Sequence, residues 1–420
     1  MRTVLGAGRR RSSPYRLGLV VAAVVLTAAG CAGGGDTGGG EATEPLSVWQ
    51  FYGDESMPTG KPFYDLVARY EQQSGTDVDI RFIPYDDFNR TLTQAAAAGD
   101  GPDIALISAF DTAAMADAGV IQDISAQVQE WGQQDTYFPT SWESTQVEGQ
   151  TFGIPHLADA YAVYYNTAMF TQAGLSAPKT WAEMESTAAA LAGEGRAGLA
   201  VSGIEGAEGA TGLAIRMLAT GVQPIEIDSP GGHAAIESFQ RMVASGGLSE
   251  GFLTWNEEDA KNQFATGQAA MMINSATYVN ILREENPDLQ WSVAVLPSEA
   301  TGQTMLSAEN LTIGATSDDV DRAWDLIAFM QRPEELQVYL PDRNKLPARG
   351  DVPGTAEDPV RAIFAEQLEQ AWAPDAALAP HTTEVLTALQ AALQSALSGS
   401  PVPDAARSAQ AAIDEALATS

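Results

Sequence analysis

The sequence of 420 residues contains one cysteine and three histidines, His156, His233 and His381. A single cysteine excludes an intrachain disulfide, and three scattered histidines argue strongly against a structural zinc site. Basic residues are also scarce, because 22 Lys plus Arg stand against 55 Asp plus Glu and give a formal charge of -33. Such an acidic chain repels nucleic-acid phosphates and anionic bilayers, so binding to either is disfavoured.

Common catalytic motifs are missing as well, since neither a Walker loop nor a His-Glu-x-x-His string occurs. We therefore expect no enzymatic activity, no catalytic residue, no cofactor and no metal. Two carboxylates suffice for glycoside hydrolysis, so 55 acidic residues leave an exported hydrolase open as an alternative. Paired acids such as Asp86-Asp87, Glu257-Glu258 and Glu284-Glu285 are expected to be solvated helix termini or faces.

The basic residues concentrate at the N-terminus, where an apolar run from Leu17 to Ala29 follows five arginines, with no acidic residue before Asp36. Thirteen residues are too few for a membrane-spanning helix, which needs about twenty, so residues 1–30 are predicted to be a secretory signal peptide. Removing this leader leaves 17 Lys plus Arg against 55 Asp plus Glu, a charge of about -38.

The only cysteine, Cys31, follows Ala28-Ala29-Gly30 at the end of the apolar run. This string resembles the bacterial lipobox, although Ala28 stands where Leu is usual, and it implies that the Cys31 thiol is diacylated. Residues 31–45 are rich in glycine and are predicted to form a flexible tether. The resulting prediction is an exported domain, anchored by lipid to the outer face of the cell membrane.

Beyond residue 45, short apolar strands alternate with amphipathic helices. The pattern predicts a strand at Leu46 to Phe51, a helix at Pro62 to Gln73 and a strand at residues 78–82. Strands separated by helices indicate an α/β fold. A hairpin is predicted at Gln146 to Ile154, and the last sixty residues are predicted to be helical.

Six strings that occur in order resemble the extracellular solute-binding proteins of ABC importers, in the family-1 or maltose-binding-like group. They are Leu46-Ser-Val-Trp49, Tyr70-Glu-Gln-Gln-Ser-Gly75, Ala98-Gly-Asp-Gly-Pro-Asp-Ile104, Tyr165-Asn166, Pro178-Lys-Thr-Trp181 and Phe264-Ala-Thr-Gly-Gln-Ala-Ala-Met271. The resemblance implies an α/β, two-lobed periplasmic-binding-protein-like fold. Each lobe would be a mixed, mostly parallel sheet flanked by helices, with the ligand cleft between the lobes. Lobe 1 is predicted at residues 46–157 plus about 304–345, and lobe 2 at 158–303 plus about 346–420.

The resemblance also implies that the ligand meets loops at the carboxyl ends of strands. Its candidates are Tyr52, Asp54, Asp87, Ser108, Phe110, Asp111, Asp159, Tyr161, Trp255, Tyr278, Glu309, Asn310 and Arg349. Asp159 stands where relatives place a hydroxyl-binding carboxylate, whereas Ala276-Thr277-Tyr278 departs from the stacking Trp that relatives have nearby. Carboxylates accept hydrogen bonds from sugar hydroxyls, and aromatic rings cover sugar C–H faces.

The expected function is therefore the capture of a mono- or oligosaccharide by a monomeric protein that delivers it to permease subunits of an ABC importer. A polyamine or a glycerophosphodiester is the alternative solute. No basic cluster occurs in the candidate loops between Tyr52 and Glu309, which speaks against a phosphate ligand.

Overall fold

The computed structural model describes residues 44–353, 357–375 and 377–418. The predicted signal peptide, Cys31 and most of the tether lie outside these residues. The strands are β1 (Leu46–Gln50), β2 (Val78–Phe82), β3 (Ile104–Ser108), β4 (Gln146–Val147), β5 (Gln150–Thr151), β6 (Ile154–Asp159), β7 (Tyr161–Asn166), β8 (Ala197–Ala200), β9 (Ala269–Ser275), β10 (Trp291–Ala294) and β11 (Ser307–Ile313).

Helices fill most of the intervals between these strands. They are α1 (Lys61–Ser74), α2 (Tyr85–Ala98), α3 (Thr112–Asp117), α4 (Ser125–Trp131), α5 (Pro139–Glu143), α6 (Thr167–Ala173), α7 (Trp181–Leu191), α8 (Thr211–Ala219), α9 (Pro230–Ala244), α10 (Glu257–Ala265), α11 (Tyr278–Glu285), α12 (Val320–Met330), α13 (Pro333–Arg343), α14 (Pro359–Leu368), α15 (Thr382–Leu397) and α16 (Val402–Leu417). Among the described residues, none of the helices is long and apolar enough to cross a bilayer.

The strands form two larger sheets, each flanked by helices. The first has the order β2-β1-β3-β11-β6, and the second has the order β10-β7-β9-β8. The predicted mixed α/β class is confirmed, but "mostly parallel" is not. Only β1 with β2, β1 with β3, and β8 with β9 pair in parallel, whereas β11 and β7 run antiparallel to both of their neighbours. The difference arises because β11 and β7 lie next to the segments that carry the chain from one sheet to the other.

Local sequence signals explain several elements. In α1, the buried residues Phe63, Leu66, Val67 and Tyr70 recur at helical spacing, and the helix ends at Gly75 with φ 74°. Thr180 and Glu183 form the predicted capping box at the start of α7. The predicted hairpin is the β4–β5 pair.

The C-terminal region is less helical than predicted. The described residues between α14 and α15 contain a short 3-10 turn, Ala379–His381, and no α-helix, and the extended Trp372 forms a bridge with Met305. Pro374 and Pro380 each lack a backbone N–H, which disfavours one continuous helix through this segment. The predicted lobe boundaries stay a prediction.

Candidate ligand-binding site

Several chain segments lie side by side where the two sheets meet, and we call them the hinge. Strand β6 continues into β7 through a single residue, Ala160. The backbone of Ala158 exchanges two hydrogen bonds of 3.0 Å with Leu346. The Thr304 hydroxyl accepts from the Tyr161 N–H at 2.8 Å. Because these crossings are hydrogen-bonded to one another, side chains next to them are held close to both sheets.

Asp159, the last residue of β6, is buried at the hinge with 1% of its surface exposed. Its Oδ1 accepts from the backbone N–H groups of Ala160 and Ala276, both at 2.8 Å. Its Oδ2 accepts from the Thr277 hydroxyl at 2.7 Å and from the Lys345 ammonium at 2.8 Å. A carboxylate has about four acceptor positions, so protein groups already occupy the hydrogen-bonding capacity of Asp159.

A cavity of about 740 Å³ opens beside Asp159 and Lys345, between the start of α1, the helix α11 and the end of α13. Thr277 and Lys345 line the cavity and connect it to Asp159. The remaining lining residues are Pro58, Thr59, Lys61, Pro62, Asp65, Asn280, Ile281, Glu284, Pro341, Asp342, Arg343 and Asn344. Because α1 packs on α12 and α13 whereas α11 follows a strand of the second sheet, the cavity lies between the two lobes.

On the first-lobe side of the hinge, the Tyr52 hydroxyl donates to Glu309 Oε2 at 3.3 Å. The Arg343 guanidinium lies over the Tyr52 ring, 3.7 Å from its centroid. Burial raises the pKa of Glu309, while the nearby Lys345 and Arg343 lower it. The carboxyl of Glu309 is thus a partly desolvated acceptor fixed by a tyrosine.

The second-lobe side carries a matching pair. The Tyr161 hydroxyl donates to Glu257 Oε1 at 2.6 Å. Burial raises the pKa of Glu257 to about 7; the Tyr161 hydrogen bond and Lys345 lower it, while Glu208 and Asp159 raise it. Burial also raises the pKa of Tyr278, and the negative charges of Glu257 and other nearby acids raise it further. The charges of Asp159 and Lys345 shift the pKa values of both Glu257 and Glu309. The two tyrosine–carboxylate pairs therefore lie on either side of the Asp159–Lys345 ion pair, which we call the hinge pair.

A second group of predicted residues lies at the end of β3. The Ser108 hydroxyl accepts from the Phe110 N–H at 3.3 Å and so caps the turn that leads into α3. Burial raises the pKa of Asp111, a hydrogen bond from Asn89 lowers it, and the charge of Glu384 raises it. Because Glu384 belongs to the first turn of α15, a helix that packs with α8 and α9, Asp111 also faces the second lobe.

Other predicted residues are engaged elsewhere. Asp54 is half-buried and accepts from the N–H and hydroxyl of Ser56, and Asp87 is an exposed partner of Arg90. Asn310 is fully buried and donates to the Thr112 hydroxyl at 2.9 Å. Arg349 is 1% exposed and forms two hydrogen bonds with Asp351, at 2.5 and 2.7 Å. The Trp255 side chain is half-buried, and its backbone carbonyl accepts from Gly203 and Ile204.

Sequence reasoning missed four residues of this site: Glu257, Thr277, Arg343 and Lys345. Glu257 was expected to be solvated, but it is half-buried against Tyr161, while its neighbour Glu258 is exposed. Thr277 occupies the segment that departs from the stacking Trp of relatives. Arg343 ends the helix α13, which contains Pro341, and Lys345 follows two residues later, so the only signal in the sequence is this irregular helix end before Leu346-Pro347.

The described part of the chain contains no metal-binding cluster near the site. There, no group of three or more His, Cys, Asp or Glu residues has the geometry to hold a metal ion. The string Gly247-Leu-Ser-Glu-Gly251 has the spacing of a hydrolase nucleophile motif, but the Ser249 hydroxyl accepts from the Gly251 N–H at 3.2 Å. Ser249 therefore caps the 3-10 turn Glu250–Thr254.

Comparison with known proteins identifies the family of this chain. Residues 53–337 match the family model described as bacterial extracellular solute-binding protein. The galactooligosaccharide-binding protein of Bacillus subtilis is 21% identical over 393 residues, which cover 89% of this chain and 88% of that protein. Among solved structures, the sugar-binding protein MalE of Xanthomonas citri has a TM-score of 0.78 at 22% identity, with 90% of this chain and 98% of that chain covered.

A third relative, UgpB of Mycobacterium tuberculosis in complex with glycerophosphocholine, has a TM-score of 0.76 at 19% identity, covering 90% of this chain and 99% of that chain. The two-lobed fold expected from the sequence is thus confirmed. At 22% and 19% identity, the MalE and UgpB structures establish the fold of this chain but not its ligand. The ligand has to be inferred from the residues of the site.

Proposed function

The chain belongs to the bacterial extracellular solute-binding proteins, and on this premise we propose that it captures a carbohydrate at the hinge cavity and delivers it to permease subunits of an ABC importer. Capture needs no chemical step. Ligand contacts that are made to both lobes only in the closed state would stabilise closure, since a ligand shifts an equilibrium by its difference in affinity for the two states.

The observation that carries the proposal is the pair of tyrosine–carboxylate contacts, Tyr52 with Glu309 and Tyr161 with Glu257, on opposite sides of the hinge. Sugar hydroxyls both donate and accept hydrogen bonds, and a partly desolvated carboxylate is a strong acceptor for them. Each tyrosine fixes its carboxylate in place. A polyhydroxylated solute between the lobes would therefore meet preorganised acceptors on both sides.

Aromatic surface near the first-lobe side supports the same ligand class. The Phe51 ring lies edge-to-face against Tyr85 with 5.1 Å between centroids, and Tyr85 is 58% exposed. Phe51 also contacts Tyr52 at 5.4 Å. Such rings provide flat apolar surface for the C–H faces of a pyranose, while the polar edge of the sugar meets the carboxylates.

The proposal is tested by a thermal-shift panel of neutral and acidic mono- and oligosaccharides, polyamines and glycerophosphodiesters on the mature protein. A solute that binds only the folded state raises the melting temperature, by an amount that grows with the logarithm of its concentration relative to its Kd. At least one sugar should raise it. A rise with polyamines alone would support the alternative solute class, and no rise with any sugar would contradict the proposal.

The alternative of a glycoside hydrolase is tested with the same panel. Incubation of the mature protein with oligosaccharides should release no new reducing ends. Release that disappears in the E257Q and E309Q variants would overturn the proposal in favour of hydrolysis, because these are the partly desolvated carboxylates that flank the hinge.

We further propose that Cys31 carries the lipid anchor. The test is expression of the full chain and of its C31A variant in a bacterial host, followed by separation of the membrane fraction. The wild-type chain should be found with membranes, and C31A should lose this association. Equal membrane association of both chains would contradict acylation at Cys31.

A further inference from the structure

Two cations meet at the hinge end of the cavity, although the candidate loops between Tyr52 and Glu309 contain no basic cluster. Arg343 is the last residue of α13, Lys345 follows two residues later, and both line the cavity. Both residues lie beyond Glu309 in the sequence and are therefore outside those candidate loops. The lack of a basic cluster in the candidate loops speaks against a phosphate ligand, but the fold brings two basic side chains to the cavity from another segment.

Arg343 has unused hydrogen-bonding capacity in an acidic protein. One guanidinium nitrogen donates to the Thr59 carbonyl, and the buried Nε–H has no hydrogen-bond partner. Among the described residues, no carboxylate lies within ion-pair distance of Arg343, whereas Arg69, Arg216 and Arg241 each have a glutamate partner. Burial lowers the pKa of Arg343, whereas Tyr339, Tyr52 and Glu309 raise it, Tyr339 also through a side-chain hydrogen bond.

Lys345 also retains a donor. Its ammonium bonds to Asp159 Oδ2 at 2.8 Å and to the Thr277 hydroxyl at 2.9 Å, which uses two of its three hydrogens. Asp159 receives three further hydrogen bonds from Ala160, Ala276 and Thr277. The third Lys345 hydrogen has no partner among these groups, and Lys345 lines the same cavity as Arg343.

We propose that Arg343 and Lys345 form an oxyanion subsite, so that the solute carries a carboxylate or a phosphate at its hinge end. A guanidinium presents paired donors that match the two oxygens of either group, and its partial burial on the Tyr52 ring strengthens the contact. Within the proposed function, on which this inference rests, the ligand is an acidic carbohydrate such as a uronic-acid sugar or a sugar phosphate.

The test is calorimetric titration of the mature protein with matched solutes: galactose against galacturonate, their disaccharides, and glycerol against glycerol 3-phosphate and glycerophosphocholine. The variants are R343M, R343K and the control R332M. Arg332 likewise lies over a ring, with its guanidinium 5.0 Å from the Phe329 centroid, but it does not line the cavity. Melting temperatures without solute verify that each variant is folded.

The acidic member of a pair should bind at least about tenfold more tightly than its neutral counterpart. R343M should remove this preference, R343K should retain part of it because it keeps the charge without the fork, and R332M should leave it intact. A preference for acidic sugars identifies a uronate or sugar phosphate, whereas binding of glycerophosphodiesters alone supports the subsite and contradicts the carbohydrate proposal.

Three results would overturn the subsite. They are equal affinity for neutral and acidic sugars, tighter binding of the neutral member, or equal loss of both in R343M. The first two leave the proposed carbohydrate function standing. Failure of every sugar and every acidic solute to bind contradicts both proposals.

Discussion

The Lys345 ammonium lies 2.8 Å from Asp159 Oδ2 and joins the end of the first sheet's strand β6 to the segment that follows α13. Asp159 is 1% exposed, whereas the Lys345 side chain retains 17% of its surface. The resemblance to sugar-binding relatives placed a ligand-binding carboxylate at Asp159. In this chain the ammonium and three other donors occupy that carboxylate, so we propose that the ligand contacts Lys345 rather than Asp159.

The hinge pair makes a first prediction about stability. K345M leaves the buried Asp159 carboxylate without its counter-ion and should lower the free energy of unfolding by about 3–5 kcal/mol. The double variant D159N/K345M should lose less than K345M alone, because no buried charge remains. Urea unfolding measures both.

The exposed Lys61–Asp65 pair provides the matched control, with side chains 61% and 51% exposed. K61M should cost less than about 1 kcal/mol. An equally small loss for K345M would show that the hinge pair contributes no more than a surface contact.

Glu257 makes a second prediction, about pH. Its carboxyl has a pKa of about 7 in the folded protein against an ordinary value of 4.5, mainly because of burial. Between these values the folded state binds more protons than the unfolded state, so this group lowers the free energy of unfolding as pH rises through the window. E257Q lacks the effect and should gain about 1–2 kcal/mol relative to wild type between pH 5 and pH 8.

Thermal and urea unfolding at several pH values measure this difference. E258Q, which changes the exposed neighbour of Glu257, should show a smaller trend. A relative gain for E257Q that is constant with pH, or that increases toward low pH, would contradict the assignment.

Tyr161 makes a third prediction, about affinity. Y161F removes the hydroxyl that donates to Glu257 at 2.6 Å and frees the carboxylate to reorient. Affinity for the bound sugar should fall about tenfold, the equivalent of one lost hydrogen bond to a charged group. Y165F, at the other end of the same strand, should change affinity less than twofold. Equal effects of the two substitutions in calorimetric titration would contradict the role of Tyr161.

Asn310 and Asp87 make a fourth prediction, which separates structure from binding. N310A removes the buried amide that bonds to Thr112 and should lower stability by about 1–3 kcal/mol while leaving the affinity of the folded protein unchanged. D87A, at an exposed partner of Arg90, should change neither quantity appreciably. A large loss of sugar affinity in either variant would contradict this separation and show that the substituted residue contributes to binding.

Much of this architecture follows from the sequence because local signals agree with the fold. The apolar spacing in α1, the Thr180–Glu183 capping box and the β4–β5 hairpin all predict what the structure contains. Tyr52, Asp159, Tyr161 and Glu309 come together because each lies at or near the end of a strand next to the hinge.

The remaining parts of the site depend on contacts that sequence spacing does not reveal. Arg343 and Lys345 reach the cavity because the backbone of Leu346 pairs with Ala158, almost two hundred residues earlier in the chain. Arg349 and Asp54 resemble ligand groups in the sequence, but neighbouring residues satisfy them first, Asp351 for the guanidinium and Ser56 for the carboxylate. Whether such a side chain bonds to a neighbouring residue or is available to a ligand depends on the folded geometry, which sequence spacing does not reveal.

The decisive measurement is a crystal structure of the mature protein with the solute that gives the largest thermal shift. The solute should lie between α1 and α11, with an oxygen within hydrogen-bond distance of the Lys345 ammonium and hydroxyls near Glu257 or Glu309. A solute bound outside this cavity and without contact to Lys345 would contradict capture at the hinge.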